Sequence, residues 1–230
     1  DFIHNVRIEG EIFKSVVSSS DVAHFAPRML PWDILLRDVH ATADGTVADM
    51  MVRADNASFG EHTSLRGDVR LLGLPDVRHG TMNLDLKRLL TTEGDAARLL
   101  ASITGRQLPE RVLSMADAAG EIICAGRFDG GFAQFDAEMM ITTQSGNASL
   151  TAERRPLPRV AGQAAQSSLV AYAELRHLQL GHMLQFPTLG SVTGVVAFNG
   201  ATTSSSLRGA VNGTVQQMEF NDAQYSDLTI

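Results

Sequence analysis

The chain has 230 residues and an apolar content of 44%, enough to bury a sizeable core and too much for a disordered tail. Its 19 basic side chains against 26 acidic ones leave a formal charge of −7, so the average field repels polyanions and nucleic acid is not an expected partner. No apolar run approaches the ~18 residues that span a bilayer, and no basic-then-apolar leader opens the chain, so the piece is expected to be soluble.

In chain order, the first residue is Asp1 rather than Met, and the last six, Tyr225 to Ile230, read as a strand with no closing turn. Both ends suggest a piece of a longer chain. Ser20-Asp21 is a cap before Val22 and Phe25, predicting a helix that Pro27 stops within two turns. Asp44-Gly45 is a turn candidate. Thr92-Glu93-Gly94-Asp95 has the N-cap and third-position acid of a capping box, and Ala96, Leu99, Leu100 and Ile103 follow at helical spacing before Gly105. That spacing predicts a helix over 93–104. Pro109 opens a second short helix through Leu113, giving a helical insert near 93–116. Cys124 stands alone, which excludes an intramolecular disulfide, and its apolar flanks predict a buried small hydrophobe.

Beyond the insert the period-two pattern returns. Phe135, Ala137, Met139 and Ile141 share one face of a strand that ends towards Ser145-Gly146-Asn147. Arg154 to Arg159 and the Gly/Gln/Ser-rich residues up to Ser168 read as a loop or linker over 156–168, between β-rich segments 1–155 and 169–230. Its basic cluster is either a solvated loop or a contact for anionic headgroups. Leu169 to Phe186 mixes helix-favouring types with strand alternation; the reading adopted is a strand to about His177, then a helical turn. Val192, Gly194, Val196 and Phe198 alternate before a turn signal at Asn199-Gly200. Val211, Gly213 and Val215 have one parity and Met218 and Phe220 the other, so a bulge near Gln216-Gln217 would return them to a common face. Asn221-Asp222 is a further turn candidate. The expected fold is mainly β: an elongated, curved antiparallel-type sheet or two facing sheets around an apolar groove, interrupted by the insert.

No common catalytic arrangement is present: no G-x-G-x-x-G, G-x-x-x-x-G-K-[ST], H-E-x-x-H or G-x-S-x-G. The expectation is a non-enzymatic chain with no cofactor and no metal. The seven histidines are scattered, and Glu93 and Asp95 are explained by the helix start. A Ser-His-Asp group assembled in space is the residual enzymatic reading. The sequons at Asn56, Asn147 and Asn212 read as turns. A lone Trp32 and two tyrosines leave few aromatic platforms for sugar or single-stranded nucleic acid.

The order of motifs resembles the TamB family, within the wider AsmA-like superfamily. The match runs from Gly73-Leu74-Pro75-Asp76 through Thr81, Thr91-Thr92, Asp95, Leu108-Pro109, Gly126-x-Phe128-x-Gly130 and Thr143-x-Ser145-Gly146. It continues through Leu180-Gly181, Leu189-Gly190 and Gly213-x-Val215 to Tyr225-x-x-Leu228. The resemblance implies an internal periplasmic slice of an inner-membrane-anchored protein of the Gram-negative envelope. Such a body curls around an apolar groove, supports phospholipid transfer between membranes, and assists outer-membrane protein translocation and assembly with an outer-membrane barrel partner. Its guests would be phospholipid or nascent outer-membrane β-strands. The expected lining residues are Phe135, Met139, Ile141, Val192, Val196, Phe198, Val211 and Val215, which would equally serve as the core of a closed sandwich. The alternative function is a secreted or surface β-sandwich used in adhesion or glycan binding.

Overall fold

A computed structural model describes residues 2–20, 34–74, 76, 79–104, 107–131, 133–158, 164–203 and 206–229. The helix expected around Val22 and Phe25 lies outside them. The described chain is mainly β, with twelve strands and four short helices, and divides into two compact units, residues 1–132 and 133–230.

In unit 1 a short helix, α1 (Phe2–Asn5), precedes β1 (Ile8–Ser18), β2 (Leu35–Thr46), β3 (Asp49–Phe59), β4 (Thr63–Leu72) and β5 (Thr81–Thr91). Helices α2 (Glu93–Thr104) and α3 (Glu110–Ala119) follow and pack on each other, and β6 (Ile122–Gly130) completes the unit. Unit 2 holds β7 (Phe135–Thr143), β8 (Gly146–Pro156), β9 (Ser167–Leu178), helix α4 (Leu180–Leu184), β10 (Leu189–Thr202), β11 (Leu207–Phe220) and β12 (Ala223–Thr229). Each unit is an antiparallel meander in which every strand lies beside its chain neighbour. Neither contains the second facing sheet of a sandwich among its described residues.

The helical spacing at 93–104 and the strand-then-turn reading of 169–186 both match the structure, as α2 and as β9 followed by α4. Pro109 stands at the N-cap of α3 with φ −57° and ψ 140°, outside the helical region, and the chain turns into the helix after it. Residues 156–168 join β8 and β9, which are hydrogen-bonded neighbours, and Leu157 N–H donates to Gln166 O at 2.9 Å.

The turns are less obedient to local signals. Asn221-Asp222 forms a two-residue hairpin loop, both residues left-handed at φ 50° and 61°, the geometry that matches strand twist. Asp44-Gly45 does not turn: β2 runs on to Thr46, which pairs with Asp49, and Val47-Ala48 form the loop. Asn199-Gly200 also lies within a strand, because β10 continues to Thr202 and the chain reverses between Thr203 and Ser206. Gly200 instead serves packing: a Cβ there would stand 2.6 Å from the Phe198 ring, and one at the cross-strand Gly209 equally close. The sequon asparagines Asn56, Asn147 and Asn212 likewise sit inside β3, β8 and β11 rather than in turns.

Bulges occur in both units. In unit 1 register shifts occur in every pairing from β1–β2 to β5–β6, with Lys14 and Asp38 at φ 48°. In unit 2 they occur at His177 in β9, between Leu189 and Val192 in β10 and at Gln216 in β11, while Asp227 in β12 is left-handed at φ 56° with its ladder in register. The shift at Gln216 places Val215 and Met218 on one face, as their parities require. Each bulge bends its strand and adds right-handed twist.

Candidate functional site

Directly paired residues of adjacent strands project from the same face, so register alone sorts the side chains. In unit 2 Met139 pairs with Leu150, Leu150 with Ala173, Ala173 with Val196, and Val196 with Gly213. Parallel rows carry Ile141, Ala148, Leu175, Gly194 and Val215, and Ala137, Ala152, Ala171, Phe198 and Val211. Phe135 opens a fourth row with Arg154 and Leu169, and Val192 stands opposite Leu178 and Met218. All eight expected lining residues therefore share one face of one sheet. The strand pattern works because successive side chains point to opposite faces and the positions on this one are predominantly apolar.

This face is graded in exposure. Val192 and Val215 are buried, Phe135, Met139, Ile141, Val196 and Phe198 are half-buried, and Val211 is 57% exposed. At the buried end the chain leaving β9 folds over as α4: Gln179 N–H donates to Ser145 O at 2.7 Å, and Phe186 stacks on Phe220 with ring centroids 6.4 Å apart. Gly181 is required there, since a Cβ would lie 1.4 Å from Leu189 O. At the other end Arg154, half-buried between Phe135 and Leu169, is the sole charged residue at the directly paired positions of this face among the described residues.

Unit 1 has a comparable face with no charged residue at its directly paired positions among those described. Val39, Ala41 and Ala57 form its buried cluster, with Val17, Leu36, Val52, Ala54 and Leu65 packed against it. Cys124 sits on this face opposite Leu89, half-buried rather than fully buried, and burial pushes its thiol pKa up. Here too a helix covers one end. Asp95, in the first turn of α2, is 1% exposed, and its Oδ2 accepts from the backbone N–H groups of Glu61 at 3.1 Å and His62 at 2.8 Å and from Thr63 Oγ1 at 3.1 Å. Arg98 pairs with its other oxygen. Burial opposes ionisation, but the His62 N–H, the Thr63 hydroxyl and the Arg98 guanidinium outweigh it and hold the carboxyl below its ordinary pKa. Asp95 is therefore not the reciprocal partner of a capping box: its carboxylate serves the β3–β4 loop. Gly60, at φ +63°, leaves the space, for a Cβ there would meet that carboxylate at 2.1 Å.

The opposite faces are charged. In unit 1 Arg7 and Arg70 make two-pronged pairs with Asp44 and Asp49, Lys87 pairs with Asp85, and Asn83 donates to Asp129. The hydrogen bonds from Arg70 hold Asp49 below the usual carboxylate range. In unit 2 Arg155 grips Asp136 with both contacts under 3 Å, and those hydrogen bonds raise its own pKa. Among the described residues no three His, Cys, Asp or Glu side chains are grouped to hold a metal ion, and no helix is long and apolar enough to cross a membrane. Sequence reasoning missed Asp95 as a loop anchor and Arg154 as a lone charge on the apolar face. The second was readable, since Arg154 keeps the parity of Ala148, Leu150 and Ala152. No family model, curated protein or solved structure matches the chain.

Proposed function

We propose that this chain is a lipid-holding segment of a TamB/AsmA-like envelope conduit, acting in the periplasm and passing acyl chains along its apolar faces without chemistry of its own. The observation that carries this reading is the continuous aliphatic face of β7 to β12 in unit 2, left without a second layer among the described residues and crossed by one charged side chain. An open face of this kind calls for a guest. Burying about eight methylenes would contribute ~6 kcal/mol before ordering costs, because each CH₂ removed from water gives ~0.8 kcal/mol. The side chains offered are chemically alike, so a guest meets similar contacts at each step, which suits sliding rather than trapping. Phospholipid is the favoured cargo; assistance to outer-membrane protein assembly, with nascent β-strands and a barrel partner, belongs to the same reading through the sequence resemblance. The single sheet in each unit weighs against an adhesive sandwich.

The test is lipid retention by native mass spectrometry after incubation with phosphatidylglycerol. The unmodified chain is expected to carry lipid, and Val196→Asp, at the middle of the face, is expected to lose most of it with an unchanged circular dichroism spectrum. A chain that holds no lipid, or a Val196→Asp variant that holds as much, overturns the proposal.

A further inference from the structure

On the charged face of unit 1, opposite the apolar one, a cleft of about 640 Å³ opens where α1 and Arg7 lie beside the β2–β3 hairpin. Ala48 N–H donates to Ile3 O at 3.1 Å, which fixes α1 against the hairpin and brings His4 into the wall. The remaining lining includes Arg7, Arg53 and Arg70 with Asp44 and Asp49. Three guanidinium groups against two carboxylates leave 3 − 2 = +1 in the cleft, within a chain whose formal charge is −7.

The disposition of these groups is more telling than their number. Arg7 uses Nε and Nη2 on Asp44 at 2.9 and 2.8 Å, and Arg70 uses the same two nitrogens on Asp49 at 2.8 and 2.7 Å. In each pair both carboxylate oxygens are turned towards the arginine that neutralises them, while Nη1 keeps its N–H groups for another acceptor. The pairs hold both arginines in place, so little side-chain freedom remains to be lost on binding. Arg53, the next position beyond Met51 on the same face of β3 and the cross-strand neighbour of Asp68, is exposed, and its side chain makes no hydrogen bond or ion pair among the described residues.

We propose that this cleft binds a small phosphate monoester, with Arg53 as its principal ligand and the outer N–H groups of Arg7 and Arg70 completing the set. A guanidinium fork matches a pair of phosphate oxygens, and the lining holds one more guanidinium than carboxylate. Long polyanions are disfavoured by the overall charge, so the ligand is a single terminal phosphate, either on a free metabolite or on a lipid headgroup. The site is separate from the apolar faces, and it stands or falls independently of lipid holding.

The experiment is calorimetric titration with glycerol 3-phosphate, beside flotation with phosphatidylcholine vesicles with and without phosphatidic acid. One-to-one saturable binding to either probe is expected, with shifts of the amide resonances of Arg53 and of 44–49. Loss of one charge-assisted contact sets the scale: Arg53→Ala is expected to weaken binding about tenfold or more, Arg53→Lys less, and Arg208→Ala, an exposed arginine on β11, not at all. Binding of the soluble probe identifies a free metabolite as a sufficient ligand; binding of phosphatidic acid vesicles alone identifies a headgroup. Absence of saturable binding in both arms, or equal weakening by Arg53→Ala and Arg208→Ala, overturns the proposal.

Discussion

The two units close one end of an apolar face with a helix that follows a strand, yet they do so with opposite chemistry. In unit 1 the closure is polar: Asp95 reaches from α2 into the β3–β4 loop and satisfies two backbone N–H groups and a hydroxyl. In unit 2 it is apolar and steric: α4 fits because Gly181 has no side chain, and Phe186 lies on Phe220. The difference teaches that a buried carboxylate makes closure dependent on protonation and on a few directional bonds, whereas contact packing makes it dependent on shape.

This contrast can be broken at its strongest point first. Asp95→Ala strips an acceptor from one buried hydroxyl and two part-buried backbone N–H groups and is expected to destabilise unit 1 by about 3 kcal/mol, read by urea denaturation, with hydrogen exchange rising at 61–63. Asp95→Asn should lose less, since an acceptor remains. Acid should act in the same direction. Because the folded carboxyl titrates below its unfolded value of ~3.9, its stabilisation is complete above that pH and is lost as pH falls through the depressed folded pKa. Proton resonances of the β3–β4 loop should follow this below about pH 4, while those of α4 should not.

Gly181→Ala attacks the other closure. Its Cβ would overlap Leu189 O, and the expected loss is about 2 kcal/mol in unit 2, with the α4 amides exchanging faster in hydrogen-exchange mass spectrometry. Phe186→Ala removes a partly exposed ring pair and should lower stability by about 1 kcal/mol, with little pH dependence. The smallest effect is a gain: Asp222→Gly relieves a left-handed aspartate at φ 61° in the β11–β12 loop and should add about 0.5 kcal/mol, seen as a rise in Tm.

Much of this architecture is written locally. The alternation through Phe135–Ile141 and Val192–Phe198 identified one face, and the parity break at Val215–Met218 required the bulge that occurs at Gln216. What stayed hidden was hidden by distance or by competition. Thr92 to Asp95 satisfies a local capping pattern, but the groups that Asp95 serves lie 32 to 34 positions upstream, beyond any local signal. Asn199-Gly200 has turn chemistry, yet the ladder extends past it and the glycine makes room for Phe198, so tertiary packing overrides the dipeptide's preference. At the candidate site, position was legible while burial was not: Val192 and Val211 share a pattern, but α4 folds over the end that holds Val192, while β12 pairs only from Thr214 onward and leaves Val211 beside one strand.

Because every strand of a unit lies against the one made just before it, assembly has no need to wait for distant sequence. Most neighbouring strands are joined by short connections, the exceptions being β1 to β2 and the helical insert between β5 and β6, so the entropy lost at most steps is small and the contacts are local for a β protein. A chain threaded slowly from its amino end can lay down one ribbon after another, each new register set by the side-chain alternation of the strand that joins.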